Sequence, residues 1–159
     1  MQAPNEDRRP PKLDRGLLAD RMGPRIRLLR NLLTARVTVA LAPFGLRPGA
    51  HTTLALIAAN EGCSQMELSR EMGMEKSAVA ALIDDLVSRR LVVRDRSAQD
   101  RRRNLLSLTA KGERTMRAMH DAASAQEEAV QRALTPKEFA QLLALLDRAY
   151  DALSALDPP

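Results

Sequence analysis

Residues 91–112 read LVVRDRSAQDRRRNLLSLTAKG, and they give the clearest indication of how the chain folds. It begins with the β-prone run Leu91-Val92-Val93, continues through a polar segment rich in arginine, and ends with Leu106 and Leu108 on either side of Ser107. Two short apolar segments separated by a polar turn are typical of a β-hairpin. We therefore predict a two-stranded wing with its charges at the tip.

The positive charge of the chain is concentrated in the same region. The whole chain of 159 residues has a formal net charge of +5. Between Arg89 and Arg103 there are seven arginines and two aspartates, so this segment alone accounts for +5 and the remainder sums to zero. Such a concentration is typical of a protein that binds a polyanion. A solvated basic loop is the alternative interpretation.

Upstream of the wing, the sequence predicts two short helices joined by a tight turn. Ser64 and Glu67 have the spacing of a capping box that starts the first helix, and Gly73 ends it. The second helix is predicted from about Glu75 to Arg90, because its apolar residues recur at helical spacing. This arrangement is typical of a helix-turn-helix.

Longer helices are predicted on both sides of this unit. Pro24 and Pro43 bound a first helix over about residues 24–42, and a second follows over about 48–60. After the wing, Thr109 is expected to cap one long helix over about 110–133. Thr135-Pro136-Lys137-Glu138 starts a last helix that runs to about Leu156. The predicted fold class is mainly α (α+β).

Composition argues against several classes of function. Aromatic residues make up 2% of the chain, too few for base-stacking platforms. With two histidines and one cysteine, no metal-binding spacing occurs, and no phosphate loop or nucleophile motif is present. We therefore expect no enzyme activity, cofactor or metal. The absence of a signal-like or membrane-spanning segment favours a cytoplasmic protein without a membrane partner.

With these elements in order, the sequence resembles the MarR family of bacterial regulators, over roughly residues 22–156. The resemblance implies a winged helix-turn-helix homodimer that binds double-stranded DNA at a palindromic operator and, by default, represses transcription. The residues that support it are Gly45-Leu46, Ser64-Gln65-Met66-Glu67-Leu68, Asp84-Asp85-Leu86, Leu91-Val92, and above all Asp100-Arg101-Arg102-Arg103 through Leu108-Thr109 to Gly112.

The resemblance also implies a domain organisation. Residues 1–20 form a flexible arm, 21–47 a dimerisation helix, 48–108 the DNA-binding domain, and 109–159 further dimerisation helices. The flanking helices have more apolar surface than a small winged-helix core can cover, so they are expected to pair between protomers. A monomeric helical cap is the alternative. The candidate interface residues are Leu17, Leu18, Met22 and the stripe from Phe139 to Leu156.

Candidate DNA contacts follow from the position of the recognition helix. Its N-terminal residues face base edges in the major groove. Lys76 and Ser77 can donate to bases or phosphates, whereas Ala78 and Ala81 offer only apolar contact. Ser64 and Gln65 open the preceding helix, where free amides favour phosphate; for Ser64, a plain capping role has about equal weight.

In the family, a wing-tip arginine enters the minor groove and an aspartate before it orients that arginine. The resemblance assigns these roles to Arg102 and Asp100, and phosphate contacts to Arg101 and Arg103. Many members have arginine where this chain has Ala81 and Asp85. Since Glu75 and Asp84 add negative charge, the recognition helix ahead of Arg89 is net acidic, and we expect the wing to be the main anchor.

Family members often bind small aromatic or phenolic compounds, which implies a small-molecule effector. Arg25, Arg30, Arg47 and His51 are the candidate ligand-binding residues, and a surface or packing role is the alternative for His51. His120 is assigned to a solvated helix face. Two alternative functions are a protein–protein interaction module and a cysteine-based redox regulator. Cys63 is expected to be a small packing residue, because no cation lies beside it in sequence.

Overall fold

The computed structural model describes residues 13–96 and 104–156. Two 3₁₀ turns, Gly16–Leu18 and Ala42–Phe44, precede and follow the first helix. The regular elements in this described part are α1 (Gly23–Leu41), α2 (Ala50–Ala59), α3 (Gln65–Glu71), α4 (Lys76–Ser88), β1 (Val92–Arg96), β2 (Asn104–Leu108), α5 (Ala110–Ser124), α6 (Glu128–Ala133) and α7 (Pro136–Ser154). The mainly helical class is as predicted, and so is the element order except in the region after the wing. The ends of α1, α2 and α4 differ from the predictions by one or two residues.

The chain divides into two compact units, residues 1–35 and 36–159. In the first unit, the described residues form the Gly16–Leu18 turn and the beginning of α1, and none of them is buried. Its large apolar side chains are therefore left in solvent. The most exposed are Leu13, Leu17, Leu18, Met22, Leu28 and Leu32.

The second unit contains the hydrophobic core. Leu54 and Ile57 on α2, Ile83 and Leu86 on α4, and Leu106 on β2 are almost completely inaccessible to solvent. Burying one such side chain stabilises a fold by about 1.5–3 kcal/mol. This core fixes α4 and the wing relative to α2, so one face of α4 is unavailable for any partner.

The helix-turn-helix begins with the predicted capping box. The Ser64 hydroxyl accepts a hydrogen bond from the Glu67 amide at 3.3 Å, and the Glu67 carboxylate accepts one from the Ser64 amide at 2.7 Å. Gly73 has a φ of +58° in the turn that follows. The Ser69 hydroxyl donates to the carbonyl of Met74 at 2.6 Å, which ties the turn to α3.

The wing strands pair antiparallel in the predicted hairpin, with Val92 opposite Leu108 and Arg96 opposite Asn104. The β2 strand also forms a bridge to the α2–α3 loop. The Gly62 amide donates to the Leu106 carbonyl at 2.9 Å, and the Leu106 amide donates to the Cys63 carbonyl at 3.0 Å. Strand β2 is thus hydrogen-bonded both to β1 and to the α2–α3 loop.

The prediction of one continuous helix over residues 110–133 is wrong. The structure has two helices, because residues 125–127 form a tighter turn between α5 and α6. Here the Gln126 amide donates to the Ala123 carbonyl, and the Glu127 amide donates to the Ser124 carbonyl. Each bond joins residues three positions apart, whereas α-helical bonds join residues four positions apart. The turn contains no glycine or proline, so propensity alone predicted continuation. The cap and start of α7 are as predicted.

Among the helices within residues 13–96 and 104–156, none combines the length and the hydrophobicity that a transmembrane span requires.

Candidate nucleic-acid interface

The recognition helix α4 has one buried and one exposed face. Val79, Leu82, Ile83 and Leu86 are buried in the core. The four predicted base-contacting residues all lie on the solvent side of the N-terminal half of α4: Lys76, Ser77, Ala78 and Ala81. A helix that presents its first two turns to solvent next to a wing has the geometry for insertion into a major groove.

The two residues predicted at the start of α3 differ in how available they are. The Ser64 hydroxyl accepts from the Glu67 amide and donates to the Glu67 carboxylate at 2.7 Å. It therefore serves as a helix cap, which was one of its two predicted roles. Gln65 is the first residue of α3 and is half-buried.

Both acidic residues in the middle of α4 form ion pairs. A guanidinium nitrogen of Arg94 on β1 lies 2.6 Å from a carboxylate oxygen of Asp84. The Asp85 carboxylate pairs with Arg89, one turn along the helix, at 3.1 Å. The acidic character that the sequence predicts for α4 is therefore locally compensated. The role of Arg94 could not be predicted from the sequence, because it depends on the position of β1 beside α4.

The predicted wing-tip contacts fall outside the described residues. Asp100, Arg101, Arg102 and Arg103 belong to the segment 97–103 between the two strands. The described part of the wing is its root, where Val92 and Leu106 are buried. The roles assigned to the four tip residues stay predictions.

The end of α4 is joined to the start of α5. The Thr109 hydroxyl caps α5 by accepting from the Gly112 amide at 2.9 Å, and it donates to the Arg90 carbonyl at 2.8 Å. The Lys111 ammonium donates to the Arg89 carbonyl at 3.0 Å. Gly112 lies so close to Leu91 that an added Cβ would be 2.0 Å from the Leu91 oxygen. This junction holds the start of α5 tightly against the segment that joins the end of α4 to the start of β1.

The four candidate ligand-binding residues lie in both units. Arg25 and Arg30 are exposed on α1 in the first unit, and the Arg25 guanidinium donates to the carbonyls of Arg21 and Ala19. Arg47 is exposed before α2, and His51 is half-buried on α2. His120 is exposed on α5, as predicted, and its ring centroid lies 5.8 Å from that of His51, a contact that its sequence context did not reveal.

A surface cavity of about 660 Å³ is lined by none of these four residues. Three carboxylates surround it, so it is poorly suited to an aromatic acid, which carries a negative charge. Its lining residues are Leu56, Asn60, Glu61, Gly62, Cys63, Glu67, Leu68 and Glu71.

The single cysteine packs against the core, as expected. Cys63 is half-buried, and its backbone pairs with Leu106. Burial, followed by the nearby Glu67 carboxylate, raises the pKa of the Cys63 thiol. A raised pKa reduces the thiolate fraction at neutral pH, and the thiolate is the reactive form. This environment argues against a redox sensor.

Helix α7 has an apolar stripe without cover. None of its residues is buried. An apolar stripe of this length in solvent is typical of a surface that pairs with another chain. The large exposed apolar side chains are Leu143, Leu145, Leu146, Tyr150, Leu153 and, just after the helix, Leu156.

Comparison with known proteins gives consistent matches. The MarR family profile matches residues 44–103. A Thauera aromatica protein, described as the proposed transcriptional regulator of the hcr operon, is 33% identical over 106 residues, which are 67% of this chain and 64% of that protein. In two curated relatives, the matched segment spans less than two thirds of the relative's own length: 64% in the Thauera aromatica protein and 60% in the other.

Solved structures match over a larger share of the chain. The transcriptional repressor CouR bound to a 23-mer DNA duplex has a TM-score of 0.78 and 28% identity, covering 87% of this chain and 99% of that one. CouR from Rhodococcus jostii RHA1 bound to p-coumaroyl-CoA has a TM-score of 0.73 and 27% identity, covering 81% and 91%.

Proposed function

The chain belongs to the MarR family of winged-helix proteins, and from this premise we propose that it is a transcription regulator that binds double-stranded DNA sequence-specifically as a homodimer. The observation that carries this proposal is the exposed N-terminal half of α4, held by a buried opposite face. Lys76, Ser77, Ala78 and Ala81 are free for base contacts, while Val79 and Leu82 anchor the helix.

The distribution of charge supports duplex DNA as the partner. The stretch from Arg89 to Arg103 accounts for the whole net charge of the chain, and the root of the wing in this stretch is fixed beside α4. Because Asp84 and Asp85 are ion-paired, they offer less repulsion to phosphates than free carboxylates would. The likeness to CouR bound to a DNA duplex supports the same partner.

The proposed dimer rests on uncovered apolar surface. The described residues of the first unit expose a series of leucines, and α7 exposes a second stripe. A homodimer would cover such surfaces, and symmetric pairs of recognition helices bind two half-sites of a palindrome. We therefore propose a palindromic operator.

We further propose that the protein represses transcription and that a small aromatic or phenolic ligand releases it from DNA. The likeness to CouR bound to p-coumaroyl-CoA supports a ligand of this class. Release requires that the ligand bind better to a form of the dimer with wrongly spaced recognition helices. Arg25, Arg30, Arg47 and His51 stay the candidate ligand contacts.

The decisive experiment is the selection of duplexes from a random pool at low salt, followed by titration of the selected duplex at increasing salt. We expect a palindromic consensus and a steep fall of affinity with salt, because phosphate contacts release counterions. If no duplex binds at low salt, the regulator proposal fails and a protein–protein interaction module becomes the better explanation.

A further inference from the structure

The chain contains two histidines, and the fold brings them together. His51 lies on α2 and His120 on α5, with ring centroids 5.8 Å apart and ring planes inclined by 31°. Histidine is the side chain whose ordinary pKa lies near neutrality. His51 is half-buried, whereas His120 is exposed and its Nε2 lies 3.4 Å from the Ser124 hydroxyl oxygen. The two histidines of the chain therefore meet at the solvent edge of the contact between α2 and α5.

The surroundings of His51 disfavour its cationic form. His51 is half-buried, and its Nε2 is enclosed without a hydrogen-bond partner among the residues that the structure describes. An imidazolium is a donor at both ring nitrogens and needs an acceptor at each. Burial first, and His120 second, lower the pKa of His51 below its ordinary value. The closed contact therefore prefers a neutral ring.

The charged groups on the neighbouring elements do not offset this preference. Both α5 and β2 pack against α2, which has no other ionisable side chain, and Leu105–Leu108 of β2 has none. On α5, Glu113 lies 3.8 Å from Arg117, and both line a groove at the far end of α2 with Glu61. The remaining charged residues nearby in sequence are Arg47 before α2 and Lys111, Arg114 and Asp121 on α5, all exposed.

Helix α5 connects the histidine pair to the recognition helix α4 and to the wing. Its opposite end is bonded to the carbonyls of Arg89 and Arg90 by Lys111 and Thr109. These carbonyls lie between the end of α4 and the start of β1. A displacement of α5 at His120 therefore reaches the recognition helix and the wing root together, because a helix moves as a stiff body.

We propose that the His51–His120 pair is an acid-sensitive joint. Protonation of the His51 ring loosens the packing of α2 against α5 and thereby weakens binding to duplex DNA. The link to DNA rests on the proposed function, whereas the joint itself does not. A histidine whose pKa is lower in the closed form binds protons more readily once that form opens. The stabilising contact is therefore complete above the ordinary histidine pKa of about 6.5 and is lost as the pH falls below it.

The experiment compares the wild-type protein with the H51Q and H120Q variants, which keep a polar side chain but do not titrate. Thermal denaturation and affinity for the selected duplex are measured from pH 8.0 to 5.5, with a chelator present so that bound metal ions have no effect. We expect the wild-type Tm to fall with acidification more than that of either variant. We expect wild-type affinity to fall about three- to tenfold relative to the variants, because the opened contact takes up a proton that the closed contact excludes.

Identical pH profiles of Tm in the wild type and both variants would overturn the proposed joint. If a variant does not fold, the imidazole resonances of the wild-type protein are titrated by NMR instead. A His51 ring that titrates at its ordinary pKa would also overturn the joint. A protein that binds no duplex even at pH 8.0 contradicts the proposed function, while the Tm profiles still decide on the joint.

Discussion

Asp84 on the recognition helix and Arg94 on the first wing strand are joined by an ion pair of 2.6 Å. The Asp84 side chain is 64% exposed and the Arg94 side chain 29%. At this exposure, the pair contributes at most about 1 kcal/mol to folding. Its larger effect is electrostatic, because it neutralises a carboxylate on the face of α4 that we propose to approach phosphates.

This pair predicts opposite effects for changes in its two members. In D84N, Arg94 loses its charged partner and one negative charge is removed, so duplex affinity should rise. The slope of log affinity against log salt concentration should steepen by the equivalent of about one phosphate contact. In R94M, which keeps an apolar stem, Asp84 is left unpaired and affinity should fall. Affinity is measured against salt for each variant. The matched control is E128Q on α6, which breaks a similar pair of 3.0 Å with Arg132 and should leave affinity unchanged.

If D84N and R94M weaken binding equally, the pair acts by holding the wing in place and not by neutralising charge.

The backbone of Arg90 predicts a stabilising substitution. Arg90 has a φ of +59°, in the left-handed region that favours glycine. The strain for an L-residue there is about 1–2 kcal/mol, so R90G should raise the free energy of unfolding by about 1 kcal/mol, after allowance for the greater freedom of glycine in the unfolded chain. Urea denaturation measures it. R90A removes the same charge without relieving the backbone, and an equal gain in R90A would refute the explanation.

Gly112 predicts a severe loss of stability on the smallest possible substitution. In G112A the new Cβ would lie 2.0 Å from the Leu91 carbonyl oxygen, so the backbone of α5 or of the wing root has to move. We expect a loss of about 2 kcal/mol or more in urea denaturation. The control is G23A on α1, where no atom lies within 4 Å and the change should be neutral or favourable. A loss below about 0.5 kcal/mol for G112A would contradict the close approach.

Arg102 tests the predicted minor-groove contact at the wing tip. R102A should weaken binding to the selected duplex by about 1–3 kcal/mol and relax its sequence preference. R101A, predicted to remove a phosphate contact, should instead weaken binding to all duplexes alike. R132A on α6 is the control for loss of one positive charge. An unchanged affinity in R102A would remove the proposed groove contact.

The exposed stripe of α7 predicts the effect of a charge at its centre. L146D places a carboxylate where the proposed dimer covers an apolar side chain, which is 42% exposed in the single chain. We expect a shift toward monomer in sedimentation and weaker binding to the palindrome. Q141D, at an exposed polar position of the same helix, should leave the dimer intact. A fully dimeric L146D protein would place the interface elsewhere.

Several features could be predicted because they depend on residues close together in sequence. The capping box joins Ser64 and Glu67, which are three positions apart, and the hairpin follows from alternation within a short stretch. The cap of α7 at Thr135 is equally local. The break between α5 and α6 was missed, because residues 125–127 are good helix formers and the tight turn there leaves no mark in composition.

Three features could be inferred from the residues alone: the winged helix-turn-helix, the concentration of positive charge, and the exposed N-terminal half of the recognition helix. These follow from periodicity, capping and charge, which act over a few residues. Three contacts became visible in the folded chain: Arg94 neutralises Asp84, α5 is bonded to the end of α4, and His51 contacts His120. The members of each pair are separated by ten or more positions, so their contact depends on how the core packs the helices together.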